Sequence, residues 1–186
     1  PPNQPIMKKT ILTVFAGLTL TVTYGQNLWK ATSSKTLFFS EAPLENIEAV
    51  NKKSQGLINT ETKQIAIIIP IIEFKFEKPL MEEHFNENYM ETSKYKTASF
   101  QGKIISDIDF SKNGEYEATA EGALTIHGVK KEQKIKGTIT VKENEIVLVS
   151  NFTVALEDHE IEIPKMVIEN LAEVIAVDVT MTFEPK

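Results

Sequence analysis

A strict alternation of apolar and polar residues is the feature that most constrains how this chain can fold. Residues 175–183 place Ile, Val, Val, Met and Phe at every second position, with Ala, Asp, Thr and Thr between them. Residues 114–127 and 146–156 carry a similar period. A period of two is typical of a β-strand with one buried face and one solvated face. The pattern therefore predicts an antiparallel sheet with one wet side.

Polar turn sequences, such as the Lys-Asn-Gly at residues 112–114, divide the chain into about eight predicted strands. These strands cover residues 29–39, 47–59, 64–76, 97–106, 114–127, 133–142, 145–156 and 174–183. Closure of such a sheet removes the edges that would otherwise pair with other chains. The sequence therefore predicts an all-β fold, an eight-stranded antiparallel barrel, with residues 26–186 forming one domain.

Two segments break the period of two and predict short helices. Residues 80–85 place Leu, Met, His and Phe at helical spacing directly after Pro79, a residue that suits the first turn of a helix. Residues 165–173 follow Pro164 and predict one or two further helical turns. We therefore expect one or two short helices beside the barrel.

The residues predicted to face the barrel interior carry almost no charge. They are Ile68, Ile72, Phe74, Phe76, Phe100, Ile104, Leu124, Ile126, Leu148, Phe152 and Val154. An eight-stranded barrel is either filled by side chains or hollow enough for one small ligand, and the composition leaves both alternatives open. Any ligand held there should be mostly apolar, with its polar end near a mouth of the barrel.

Composition excludes several classes of function. The chain has no Cys, which excludes disulfides, thiolate metal sites and cysteine nucleophiles. All 20 positive charges are Lys and the net charge is −6, so we predict no nucleic acid partner. No His pair has i, i+4 spacing, and we predict no metal site, no catalytic residue and no cofactor. His127 is expected to stabilise a turn, and His159 to lie on a solvated surface.

Residues 1–25 have the layout of a targeting segment. Residues 1–6 precede Met7 and are interpreted as a cloning or reading-frame extension. Two Lys then precede an uncharged apolar run at residues 11–22, which is short of the roughly 20 residues of a spanning helix. This layout predicts a cleaved secretory signal peptide. We therefore expect a periplasmic or secreted bacterial protein without stable membrane insertion.

Four stretches of the sequence form recognisable motifs: residues 74–95, which contain EHFNENYME, residues 98–103, residues 122–129 and residues 152–164. Together these stretches resemble the YceI-like family. The similarity spans about Trp29 to Phe183, and EHFNENYME resembles the branch found in Bacteroidetes-type bacteria. Lys96 and residues 130–132 depart from the Pro-containing connections that are common in the family, which concerns loops rather than strands.

The resemblance implies an extended lipocalin-like barrel that binds a long isoprenoid or another amphiphilic lipid, and it allows a homodimer. Together with the alternation, it suggests ligand contacts at Phe39, Ile72, Phe74, Phe76, His84, Phe85, Tyr89, Phe100, Ile126 and Phe152. Core packing stays an alternative for the central aromatic residues. For His84, pinning of the helix to the barrel rim stays an alternative to contact with a lipid head group.

Three functions are compatible with this sequence. The first is a carrier or store that holds a quinone or polyprenyl type of lipid. The second is a barrel enzyme that acts on a small apolar or lipid substrate, with Glu82, Glu83 and His84 as its clustered polar group. The third is a filled barrel with a structural or interaction role. We predict the first, a binding protein and not an enzyme.

Overall fold

The alternating runs form strands in the computed structural model, which describes residues 27–41, 46–163 and 172–186. The strands in these ranges are β1 (Leu28–Ser40), β2 (Ile47–Asn51), β3 (Gln55–Asn59), β4 (Gln64–Pro70), β5 (Lys75–Phe76), β6 (Thr97–Ile104), β7 (Gly114–Ile126), β8 (Val129–Lys142), β9 (Glu145–Ala155) and β10 (Val174–Pro185). Helix α1 spans Pro79–His84 and continues into a π-helical turn at Phe85–Tyr89. Two 3-10 turns lie at Ile71–Glu73 and Glu157–His159.

Antiparallel pairings close the sheet into a barrel. The strand order is β10-β9-β8-β7-β6-β4-β3-β1-β2-β5, and β1 also pairs with β10. Strands β3 and β2 pair with opposite ends of β1, and β4 and β5 lie beyond them. The ten described strands therefore form a barrel that is eight strands around. The predicted all-β fold, an eight-stranded antiparallel barrel, is confirmed.

Two predicted strands are interrupted in the structure. The strand predicted at 47–59 breaks after Asn51, whose side-chain amide donates to the carbonyl oxygen of Pro70 at 2.7 Å. The side-chain oxygen of Asn51 accepts a hydrogen bond from the backbone N–H of Lys53 at 2.8 Å. The strand predicted at 64–76 breaks at Pro70, where the 3-10 turn begins. The buried side chain of Asn51 therefore joins the two breaks and has hydrogen-bond partners on both its amide nitrogen and its oxygen.

The prediction that Ile68 and Ile72 face the interior is wrong. Their side chains are 44% and 54% exposed, whereas Ile67 and Ile71 are buried. Residues 65–72 are apolar at every position except Pro70, so this run has no period that shows which face is buried. The pairing of β4 between β3 and β6 decides the phase instead.

The helix predicted after Pro79 is confirmed. Pro79 lies in the first turn of α1, where its missing N–H costs no helical hydrogen bond. The helix widens at its end, because the N–H of Met90 donates to the carbonyl oxygen of Phe85 at 2.9 Å. The second predicted helix, at residues 165–173, lies mostly outside the described residues. The predicted extension and signal peptide at residues 1–25 lie wholly outside them.

Buried side chains in the barrel form two apolar clusters. The lower cluster includes Ile58, Met181 and Phe183, each fully buried. The upper cluster includes Phe38 and Phe74 and lies on the side of α1. Within the described ranges no helix has the length and apolar character needed to cross a membrane.

Candidate functional site

A cavity of about 530 Å³, called here the upper cavity, lies within the upper cluster. Its size falls within the roughly 300–1,000 Å³ that is typical of small-molecule pockets. Its lining consists of Thr36, Phe38, Ile47, Ile69, Ile71, Phe74, Phe76, Lys78, Leu80, Met81, His84, Phe85, Tyr89, Met90, Ala98, Leu124, Ile126, Phe152, Val154, Leu156, Ile161, Ile175 and Val177. Most of these side chains are pure hydrocarbon. The upper cavity therefore suits a mainly apolar molecule with a small polar end.

Four phenyl rings form one wall of the upper cavity, called here the aromatic wall. The ring of Phe38 in β1 lies 5.5 Å, centroid to centroid, from the rings of Phe74 and Phe76. Phe85, from the π-helical turn, contacts the other three at 5.0 to 5.7 Å. These are tilted, edge or offset contacts, which aromatic rings prefer. The aromatic wall thus fastens the helical segment to the barrel.

A polar contact at the rim holds α1 against β5. Nζ of Lys75 lies 2.7 Å from a carboxylate oxygen of Glu82, and the backbone N–H of Phe76 donates to the other oxygen at 3.3 Å. The hydrogen bond from Lys75 lowers the pKa of the Glu82 carboxyl. Asn86 donates to the carbonyl oxygen of Glu82 at 2.8 Å. The Glu82 carboxylate is therefore engaged in holding the helix.

A second polar group, called here the polar corner, joins three loops beside the cavity. Nε2 of His127 lies 2.9 Å from a carboxylate oxygen of Glu91, and Nδ1 of His127 lies 3.2 Å from the carbonyl oxygen of His159. The ring of Tyr95 lies 4.3 Å from the His127 ring. The polar corner links the segment after α1 to the β7–β8 turn and to the turn after β9.

The prediction that His159 lies on a solvated surface is wrong. Its side chain is fully buried, and its Nδ1 lies 3.2 Å from the carbonyl oxygen of Val129, to which it donates. Its Nε2 has no hydrogen-bond partner among the described residues. Burial lowers the pKa of the His159 imidazole. The 3-10 turn at Glu157–His159 directs the His159 ring inward, while the two preceding acidic residues stay exposed. Because its neighbours in sequence are polar, nothing in the sequence indicated that this ring is buried.

The structure brings together most of the residues that the sequence suggested for ligand contact. Phe74, Phe76, His84, Phe85, Tyr89, Ile126 and Phe152 all line the upper cavity. Phe39, Ile72 and Phe100 do not. Phe39 lies on the opposite face of β1 from Phe38, Ile72 is exposed, and Phe100 belongs to the lower cluster.

Several residues that line the upper cavity were not predicted from the sequence. Phe38 was paired in sequence with Phe39, and the alternation of β1 alone did not show which ring faces inward. Ile71 sits in the 3-10 turn that no period predicted, and Ile161 follows the turn after β9. These residues are apolar but lie in stretches without regular alternation. Such a stretch predicts that its side chains are buried, but not which side chains face the barrel interior. Across the described part of the chain, no group of three or more His, Asp or Glu side chains could hold a metal ion.

A closed antiparallel barrel with an apolar interior cavity defines the class of lipocalin-like barrels. Residues 29–186 match the YceI-like domain, and the chain belongs to the YceI-like family. No curated protein gives a significant match to the chain.

Several solved structures have a similar fold at low sequence identity. A polyisoprenoid binding domain from Saccharophagus degradans, described as implicated in plant cell wall breakdown, is 13% identical, with a TM-score of 0.73 over 85% of this chain and 98% of that one. BcnA from Burkholderia cenocepacia is 12% identical, with a TM-score of 0.68 over 80% of this chain and 95% of that one. A mutant YCEI protein of Campylobacter jejuni is 16% identical, with a TM-score of 0.61 over 78% of this chain and 88% of that one.

Proposed function

We propose that the protein binds a long-chain isoprenoid or a similar amphiphilic lipid, of the quinone or polyprenyl type, in the upper cavity. The observation that carries this proposal is the cavity of about 530 Å³ with its hydrocarbon lining. A filled barrel with a structural role would leave no such space. Burial of the lipid chain supplies about 25 cal/mol per Å² of apolar surface, less the cost of ordering the chain. The description of the Saccharophagus degradans domain as polyisoprenoid binding supports the same ligand class.

The polar end of the lipid is proposed to lie beside Lys78 and His84. These are polar lining residues in or next to α1, and both side chains are exposed. The apolar end then lies against the inner lining, where Leu124, Phe152 and Val154 offer hydrocarbon alone. This orientation leaves the head group hydrated and buries the chain, which satisfies both parts of an amphiphile.

We propose a role in transport or storage in the periplasm or outside the cell, with residues 1–25 as the extension and leader. Binding without chemical turnover is proposed because Glu82, one of the two acids of the candidate enzyme group, is held by Lys75. Analysis of the N-terminus of the protein isolated from cell fractions tests the location. An uncut chain retained in the cytoplasm would contradict it.

Native mass spectrometry of the protein purified without detergent, followed by solvent extraction, tests the ligand. A bound isoprenoid at one copy per chain supports the proposal. A protein that carries no lipid and takes up neither added ubiquinone nor polyprenyl phosphate contradicts it.

Single substitutions locate the site. Phe74→Asp places a carboxylate among apolar groups that cannot solvate it, so lipid uptake is expected to be lost. Ile72→Asp is the matched control, because Ile72 is two residues away and exposed, and uptake is expected to persist. Circular dichroism confirms that both proteins fold. If folded Phe74→Asp protein carries as much lipid as the control, the ligand lies outside the upper cavity.

A further inference from the structure

A second, smaller hollow lies in the lower cluster. This lower pocket has a volume of about 70 Å³ and is lined by apolar and small side chains, including those of Ala118 and Ala120. Three residues line both hollows: Ile69, Leu124 and Phe152. They come from β4, β7 and β9, strands that are not neighbours in the sheet. They therefore enter the interior from different sides and are called here the partition.

Phe152 and Ile69 are the two half-buried members of the partition, and Phe152 has the larger side chain. On β9, residues 151 and 153 are exposed, whereas Ser150 and Val154 are buried, so residue 152 belongs to the inward face. Phe152 is nevertheless half-buried, in contrast to Leu124, which is 5% exposed. Because it points inward and lines both hollows, its accessible surface faces the hollows rather than the outside.

The lower pocket presents little that would oppose an apolar chain. Its lining includes Ala118, Ala120 and Gly137, which leave room beside the inward face of β7 and β8. The hydroxyl of Ser150 already donates to the carbonyl oxygen of Lys136 at 2.6 Å. A hydrocarbon that entered would therefore leave the Ser150 hydroxyl paired.

We propose that the partition sets the length of the isoprenoid chain that this protein accepts, with Phe152 as the specificity-determining residue. This inference rests on the proposed function. A chain that enters past α1 ends against the Phe152 ring. Removal of the ring joins the lower pocket to the upper cavity and lets a longer chain bury its last unit.

The test is competitive binding of farnesol, geranylgeraniol and solanesol, measured by native mass spectrometry on the wild-type protein and on Phe152→Ala. We expect Phe152→Ala to raise the ratio of geranylgeraniol to farnesol occupancy by roughly tenfold relative to the wild type, which equals about 1.4 kcal/mol. Phe39→Ala is the matched control, because it removes the same kind of ring from the face of β1 opposite Phe38, where it lines neither the upper cavity nor the lower pocket. Its ratio is expected to stay close to that of the wild type.

Ala120→Leu in the Phe152→Ala background refills the lower pocket and is expected to restore the wild-type ratio. If Phe152→Ala does not fold, Ile69→Ala opens the partition from the opposite side and takes its place. An equal shift in Phe39→Ala, or no shift in the opened variants, overturns the partition while leaving lipid binding in place. A wild-type protein that binds none of the three alcohols or the lipids named above instead contradicts the proposed function itself.

Discussion

Acidification should destabilise this protein through His159. The imidazole is fully buried and burial lowers its pKa from the ordinary value of 6.5. Above about pH 6.5 the ring is neutral in both the folded and the unfolded chain, so it adds no pH dependence. Below that pH the unfolded chain gains a proton that the folded chain resists, and stability is lost as the pH falls.

The magnitude follows from proton linkage. With an unfolded pKa of about 6.5, proton uptake by the unfolded chain limits the loss of unfolding free energy through this one His to at most about 1.4 kcal/mol between about pH 7.5 and about pH 5.5. Urea denaturation followed by fluorescence of Trp29, the single Trp, measures this loss. His159→Asn keeps a side-chain donor for the carbonyl oxygen of Val129 and cannot take up a proton in this range.

The variant should therefore lose less unfolding free energy than the wild type over the same pH change, by at most about 1.4 kcal/mol. His84→Asn is the matched control, because it makes the same exchange at an exposed His. His127, which faces Glu91, is present in all three proteins. Equal pH dependence in the wild type and His159→Asn would refute the assignment of the loss to His159.

Two further predictions concern stability. Phe38→Ala removes the ring at the centre of the aromatic wall and should cost about 3–5 kcal/mol in urea denaturation. Phe39→Ala, on the other face, should cost about 1 kcal/mol, and equal losses would contradict the assigned phase of β1. Gly128→Ala forces a side chain into a conformation with φ of 77°, where its Cβ would lie 2.5 Å from the Tyr95 ring, and should lower the unfolding free energy by about 1–3 kcal/mol. Gly114→Ala is the control, because its Cβ would lie at an ordinary 3.4 Å from Tyr116, and it should change the unfolding free energy by no more than about 0.5 kcal/mol. An unchanged unfolding free energy in Gly128→Ala would contradict this prediction and show that the turn can shift.

The strands could be predicted where one face of the sheet is wet. In β7 and β10, polar residues mark the outer face, so the period of two gave both the strand and the direction of its side chains. Strand β4 is apolar on both faces, and its phase depends on pairing with β3 and β6, which a single sequence does not display. For the same reason the sequence favoured Ile72 where the structure buries Ile71.

The cavity-lining residues could likewise be predicted only where a sequence period shows which way the side chains point. Phe74 and Phe76 could be predicted from the alternation at residues 73–77, and Phe85 from the helical spacing after Pro79. The sequence did not show that Phe38, rather than Phe39, lines the cavity. That choice depends on the register of β1 with β10, in which Phe38 lies opposite Val177 of the cavity lining.

The closing pair of strands has a consequence for how the protein folds. The hydroxyl of Thr32 in β1 donates to the carbonyl oxygen of Thr182 in β10, a contact across 150 residues of sequence. Such contacts raise the average sequence separation of the native contacts, which slows folding. Until β10 arrives, β1 and β9 both remain open edges to which another chain can add. The barrel is therefore most prone to aggregation in the interval before β10 docks against β1 and β9.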